Sequence, residues 1–296
     1  MEEQDVRLEQ RRVILVKSGR LTYDGAGVRL SRVFTYNDDH RFDPFLLLDH
    51  FGSSNPLDYL AGFPWHPHRG IETVTYMLQG RIEHGDSLGN SGVIRAGDVQ
   101  WMSAGSGIIH QEMPKQADGV LEGFQLWVNL PKTLKMSTPT YRGLRSTDIP
   151  AFSTPEGGKI RVIAGKYRGA EGPVRGIPVD PTYLDVSLPP STGFNLQVKK
   201  GYTAFAYVVT GSGRFDRTSG LLREGQVGLY DVSETQILVR AGPGGLRFLL
   251  MCGRPVGEPV AWWGPIVMNT EEDISLALTE LKHGTFIKHK RVIVES

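Results

Sequence analysis

Hydrophobic positions along this chain fall in short runs of β-branched and aromatic residues, each closed by Gly, Pro, Asp or Asn. Thr73-Val74-Thr75-Tyr76-Met77-Leu78 stops at Gly80, Ile108 and Ile109 follow the turn signal Gly105-Ser106-Gly107, and Leu246 to Cys252 is apolar but for Arg247. With 36 glycines and 18 prolines as punctuation, this pattern predicts many strands joined by tight turns, an all-β fold of the sandwich or barrel kind. One helix is expected, near the C-terminus. Thr270 can cap it, Asp273 stands at the capping-box position, Ile274, Leu278 and Leu281 form one apolar stripe, and Gly284 ends it. The stripe is packing surface, and the charge run Lys288-His289-Lys290-Arg291 is expected to be solvated.

The strand pattern repeats. Tyr76-Met77-Leu78-Gln79-Gly80 is followed by Arg95-Ala96-Gly97-Asp98-Val99, and Tyr207-Val208-Val209-Thr210-Gly211 by Arg223-Glu224-Gly225-Gln226-Val227. Two copies of one β-fold follow, with a boundary where Pro, Ser, Thr and Gly cluster between Pro150 and Gly158. The expected domains are residues 1–150 and 151–296.

Two short pairs carry the chemistry: His66-Pro67-His68 and His110-Gln111-Glu112. Each sets two metal-binding side chains at i and i+2, which on a strand point to one face. If both strands line one cavity, three imidazoles and a carboxylate converge. That donor set suits a divalent first-row metal such as iron, manganese, nickel, copper or zinc, with positions left open on an octahedral ion. Pro67 cannot donate to a ladder, so its strand belongs at an edge or begins at this pair. Either pair alone means little, and the apolar flank of His110 also suits a core histidine. Two pairs on two predicted strands make the metal reading. His40, His50, His84, His283 and His289 fall outside it. Aligning the repeats puts Gln197, Lys199, Leu238 and Arg240 at the corresponding positions of the second copy, and residues 150–282 contain no histidine. One domain is expected to hold metal and the other none.

Composition narrows the function classes. A net charge of +1 gives no electrostatic footprint for nucleic acid or anionic membrane. No run of 18 apolar residues suggests a transmembrane helix, and the acidic start Met1-Glu2-Glu3-Gln4-Asp5 has no secretory core. A cytoplasmic protein is expected, nuclear if the source is eukaryotic. The single cysteine, Cys252, reads as a core thiol. Trp65, Trp101 and Trp127 read first as core aromatics, Trp262-Trp263 as packing for the helix region, and Arg69 as solvated or salt-bridged.

The run from His66 to Tyr76 resembles the pirin family of the cupin superfamily. Gly97-Asp98-Val99-Gln100-Trp101-Met102-Ser103-Ala104-Gly105, leading into Gly107 to Pro114, is similar to it as well. So are Asp43-Pro44-Phe45, Leu48-Asp49-His50-Phe51, Gln125 to Pro131, and Gly264-Pro265 with Val267-Met268-Asn269-Thr270. The resemblance implies a bicupin: two antiparallel jelly-roll-like β-barrels with a short C-terminal helix. It implies one metal, usually Fe(II), in the N-terminal barrel on His66, His68, His110 and Glu112. Glu72 is placed outside that set, as a cavity wall or a group orienting a ligand histidine. Two functions are implied. One is a quercetin 2,3-dioxygenase, opening a flavonol-like aromatic enol with dioxygen and releasing carbon monoxide, with Glu112 as general base. The other is a non-enzymatic, redox-responsive iron regulator that binds a protein partner.

Overall fold

The computed structural model describes residues 10–116 and 119–289, so the acidic N-terminus and the end of the basic tail lie outside the described residues. The chain forms two compact units, each almost wholly β. One comprises Arg20–Asp148 and the segment from Val256 onward. Its seven-stranded sheet runs in the order Thr140–Leu144, Val99–Ser103, Ile71–Gln79, Leu121–Asn129, Phe45–Ser53, Val28–Thr35, Arg20–Asp24. Its four-stranded sheet runs Phe63–His68, Ile108–Pro114, Arg81–Asp86, Ser91–Arg95. Every pairing within these two sheets is antiparallel. Apolar side chains from both sheets, among them Leu30, Phe51, Met77, Ile82 and Ile94, meet in one core. Strand alternation accounts for this: one face of each sheet is buried, so every second residue must be apolar or have a partner.

The other unit comprises Ile149–Pro255 with the N-terminal strand Val13–Ser18. Its nine-stranded sheet is built around the long strands Thr203–Arg214 and Gln236–Gly253, and its core includes Val208, Phe215, Phe248, Leu250 and Cys252. Burial pushes the Cys252 thiol up to about 12, as expected of an inert core sulfur. The duplication is visible in the backbone. Gly80 and Gly97 have φ of 78° and 83°, and their counterparts Gly211 and Gly225 have 79° and 78°. The same turn positions in both copies therefore require the left-handed region that glycine enters without strain.

The contiguous division at residue 150 differs from what is observed at both ends of the chain. Val13–Ser18 pairs with Gln226–Tyr230 in the second sheet, covering an edge that would otherwise expose unpaired backbone. Arg11 fastens its start by donating to the carbonyls of Glu234, Tyr202 and Lys199. Conversely, the hairpin Ala261–Trp263/Ile266–Met268 and the helix Glu271–Lys282 belong to the first unit. The helix matches expectation: the Thr270 hydroxyl accepts from Asp273 N at 3.1 Å, and Gly284 follows its end with φ 69°. Its apolar stripe packs with Ala261, Ile266, Phe286 and Ile109. The expected boundary segment is itself structured, because Ala151–Ser153 pairs with Lys159–Ala164 and Phe152 packs on the second core. No described helix is long and apolar enough to cross a membrane.

Two buried cations tie the C-terminal segment to its barrel. Arg69 donates to Ser106 O at 2.7 Å, Glu280 at 2.6 Å and Phe286 O at 3.0 Å, and lies over the Phe286 ring. Lys135 Nζ donates to Gly70 O, Asn129 Oδ1 and Val267 O at 2.8, 2.7 and 3.0 Å. Gly70 itself has φ 78°, and a Cβ there would run into Val267 O. Lys135→Met removes a buried donor from three acceptors and is expected to lower the unfolding free energy by about 3 kcal/mol. Urea denaturation reads this as a lower midpoint at unchanged slope; a midpoint at or above that of the wild type would contradict it.

Candidate metal centre

The strand Phe63–His68 forms the edge of the four-stranded sheet, and there Pro67 costs no ladder bond. It pairs with Ile108–Pro114 so that His66 stands opposite His110 and His68 opposite Ile108. Residues on one face of an antiparallel pair are neighbours both directly and diagonally, so the three imidazoles form a triangle. Their ring centroids are 4.8, 4.4 and 5.0 Å apart. The burial of Ile108–Pro114 alternates as expected, with His110 and Glu112 inward. A bulge between these two residues sets Glu112 opposite Phe63 on one neighbour, while the other neighbour presents His84.

The hydrogen bonds assign the tautomers. His66 Nδ1 lies 2.8 Å from Pro64 O and His68 Nδ1 lies 3.1 Å from Pro265 O. A carbonyl only accepts, so both rings carry their proton on Nδ1 and both Nε2 atoms are acceptors. These two Nε2 atoms are 3.1 Å apart. Both nitrogens of His110 are buried without a hydrogen-bond partner. Converging lone pairs and a partnerless buried imidazole fit a cation among the three rings. Burial also keeps the rings neutral, as metal ligands must be. It lowers His66 and draws His68 and His110 well below the usual imidazole range, with the neighbouring rings adding to the effect in the latter two. Ligand atoms of His66, His68 and His110 all lie within 4.8 Å of one another, the geometry of a group able to hold a metal ion. Glu112 faces the same cavity beside this tight cluster. Its Oε1 accepts from the Thr75 hydroxyl at 2.7 Å, and burial raises its carboxyl to about 6.

His66, His68 and Glu112 open on a cavity of about 670 Å³, within the usual size of small-molecule sites. Phe51, Phe63, Trp65, Trp127 and Trp262 contribute aromatic wall. This corrects the core reading of Trp65; Trp127 packs against a core cluster and also faces the cavity, and Trp101 is a core residue. Trp262 stacks on Trp127 at 5.7 Å, and Trp127 stands edge-on to His68 at 5.1 Å. Glu72 does not orient a histidine. It lies on the opposite face of its strand from Thr75, accepts from Trp101 Nε1 at 3.0 Å, and is raised to about 7 by burial. Arg69 is the buried partner of Glu280. His50 pairs with Glu122 at 3.0 Å. His84 is buried and meets the Tyr141 hydroxyl at 2.7 Å. The sequence pattern did not reveal Pro265, which holds His68 from far along the chain, or Thr75, which holds Glu112. No spacing rule connects either pair.

Residues 27–128 match the Pirin domain, and residues 183–287 match the Pirin C-terminal cupin domain. A pirin-like protein of Caulobacter vibrioides is 44% identical over 282 residues, covering 93% of this chain and 99% of that one. Pirin-1 of Arabidopsis thaliana is 41% identical over 287 residues, covering 92% and 94%. The crystal structure of a quercetin 2,3-dioxygenase from Acinetobacter baumannii superposes with a TM-score of 0.87 at 32% identity, covering 94% of this chain and 98% of that one. With both halves matched in order and relatives aligned over nearly their whole length, this bicupin chain belongs to the pirin family.

Proposed function

We propose that this protein is a metal-dependent dioxygenase of the quercetin 2,3-dioxygenase type, with His66, His68, His110 and Glu112 as ligands of one divalent ion, Fe(II) in first place. Its substrate is a flavonol-like aromatic enol, opened with dioxygen. The observation that carries this reading is the partnerless His110 beside the converging Nε2 atoms of His66 and His68, two residues that line an aromatic-walled cavity. A structural neighbour named as a quercetin 2,3-dioxygenase supports it. The cavity also favours catalysis over the regulator reading, which needs an outer partner surface and no ligand-sized pocket beside the imidazoles.

A divalent ion held by these residues supplies a Lewis acid that makes a nearby enol more acidic and leaves positions for reactants. The protein does the rest. Pro64 and Pro265 fix the tautomers of His66 and His68, keeping their Nε2 lone pairs inward. Thr75 donates to one oxygen of Glu112, which leaves a lone pair of that oxygen to face the ion and the carboxylate's second oxygen to take the enol proton as general base. Trp127 and Phe63 orient a planar ring and keep water from it.

Oxygen uptake by iron-loaded protein on adding quercetin is the test. Uptake is expected in the wild type and is expected to fall by about a hundredfold or more in His110→Ala and Glu112→Ala. Iron-loaded protein that takes up no oxygen with varied flavonols would sink the proposal. A pH dependence follows as well. Protons compete with metal for ligands, the imidazoles are neutral well below their usual range, and Glu112 ionises above about 6. Nickel(II) affinity, measured by calorimetry, is therefore expected to be level above neutrality and to fall about tenfold per pH unit below about 6. Glu112→Gln should flatten that fall; an unchanged profile in this variant would remove Glu112 from the ligand set.

A further inference from the structure

We propose that a polar row across the cavity floor, Gln125, Asp49 and Arg32 with Asp24, reads the peripheral hydroxyl groups of the ligand and selects neutral polyhydroxylated aromatics. This inference rests on the flavonol-type reading above. The row arises from strand register. Thr75 stands opposite Gln125, Gln125 opposite Asp49, and Asp49 opposite Arg32, so four neighbouring strands place these side chains in one transverse line. All four line the cavity. The parallel line on one side has Gly123 opposite Phe51, and the line on the other has Trp127 opposite Leu47. Apolar side chains thus flank the middle of the polar stripe on both sides.

The stripe is bonded in two groups, Thr75 with Gln125 and Arg32 with Asp49 and Asp24. Thr75 Oγ1 meets Gln125 Oε1 at 2.8 Å as well as Glu112 at 2.7 Å. Arg32 donates to both oxygens of Asp49 at 2.9 and 2.8 Å and to Asp24 at 2.6 Å. The Asp49 side chain is 5% exposed. A barrel floor gains more stability from apolar residues than from a buried ion pair, so stability alone gives no reason for this line of polar groups. Each carboxylate oxygen used by Arg32 has a further lone pair. Asp24 and Asp49 also outnumber Arg32, leaving one net negative charge along the row. A surface of this kind accepts hydrogen bonds from phenolic hydroxyls, with charge assistance, and disfavours a carboxylate. The apolar lines beside it take the ring faces. The ligand class is therefore a planar aromatic bearing hydroxyl donors and no anionic substituent.

The experiment compares quercetin with 3-hydroxyflavone, which keeps the enol and has no other hydroxyl. Binding is read anaerobically by quenching of tryptophan fluorescence, so it does not depend on turnover. Apolar burial alone would favour 3-hydroxyflavone. The row predicts that the wild type binds quercetin tighter by about tenfold or more. Asp49→Asn and Gln125→Leu should bring that ratio close to one, chiefly by weakening quercetin. Asp24→Asn, at a side chain 49% exposed, tests the row where folding is least at risk and should reduce the ratio about threefold. Equal affinity for both flavonols in the wild type, an unchanged ratio in the variants, or variants that weaken both ligands alike would overturn the inference and leave the oxygenase reading standing. Binding of neither flavonol would overturn both.

Discussion

The pairing of the edge strand Phe63–His68 with Ile108–Pro114 governs the chemistry of this molecule, because it sets three imidazoles against one another away from bulk water. A slip of one residue in that register would turn both His66 and His68 out of the barrel. Much of the surrounding structure acts against such a slip. Gly70 makes the bend that ends the strand, Lys135 holds its carbonyl, and Pro265 accepts from His68. Arg69, next to His68, is locked to Glu280 of the C-terminal helix. The helix therefore serves the site from a distance: it carries none of the proposed ligands and anchors the residue adjoining one of them.

The two units of the duplicated fold differ in what fills their interiors. Both units carry matching glycine turns, yet the second fills its interior with Val208, Phe215, Phe248 and Leu250. The first gives up comparable space to imidazoles, a carboxyl and a polar row. Buried polar groups are tolerated only when partnered, and those of the first barrel are paired through Thr75, Arg32 and two proline carbonyls. Among the groups that form the site, both nitrogens of His110 are buried without such a partner, which makes it the most informative residue there.

Much of this was legible in the chain itself. Alternation at His110 and Glu112, the edge position implied by Pro67, the capped helix after Thr270 and the repeated glycine turns all follow from local rules of period and backbone freedom. The exchange of terminal segments was hidden, because pairing Val13–Ser18 with Gln226–Tyr230 is a long-range event that no local pattern encodes. Register hid the rest. Thr75, Gln125, Asp49 and Arg32 are ordinary polar residues in four separate strands, and only the alignment of those strands makes them one surface. The tryptophans were misleading for a related reason: aromatic residues suit a core and a cavity wall equally well, and Trp262 reaches the cavity only because the C-terminal hairpin folds onto this barrel.

The central claim is that one ion sits among His66, His68, His110 and Glu112. Anomalous diffraction at the iron edge, from crystals of protein loaded anaerobically with Fe(II), tests it most directly. A single strong peak is expected within bonding distance of the Nε2 atoms of His66 and His68, with His110 and Glu112 completing its shell. Iron bound at full stoichiometry but peaking elsewhere, or in the second barrel, would contradict the claim.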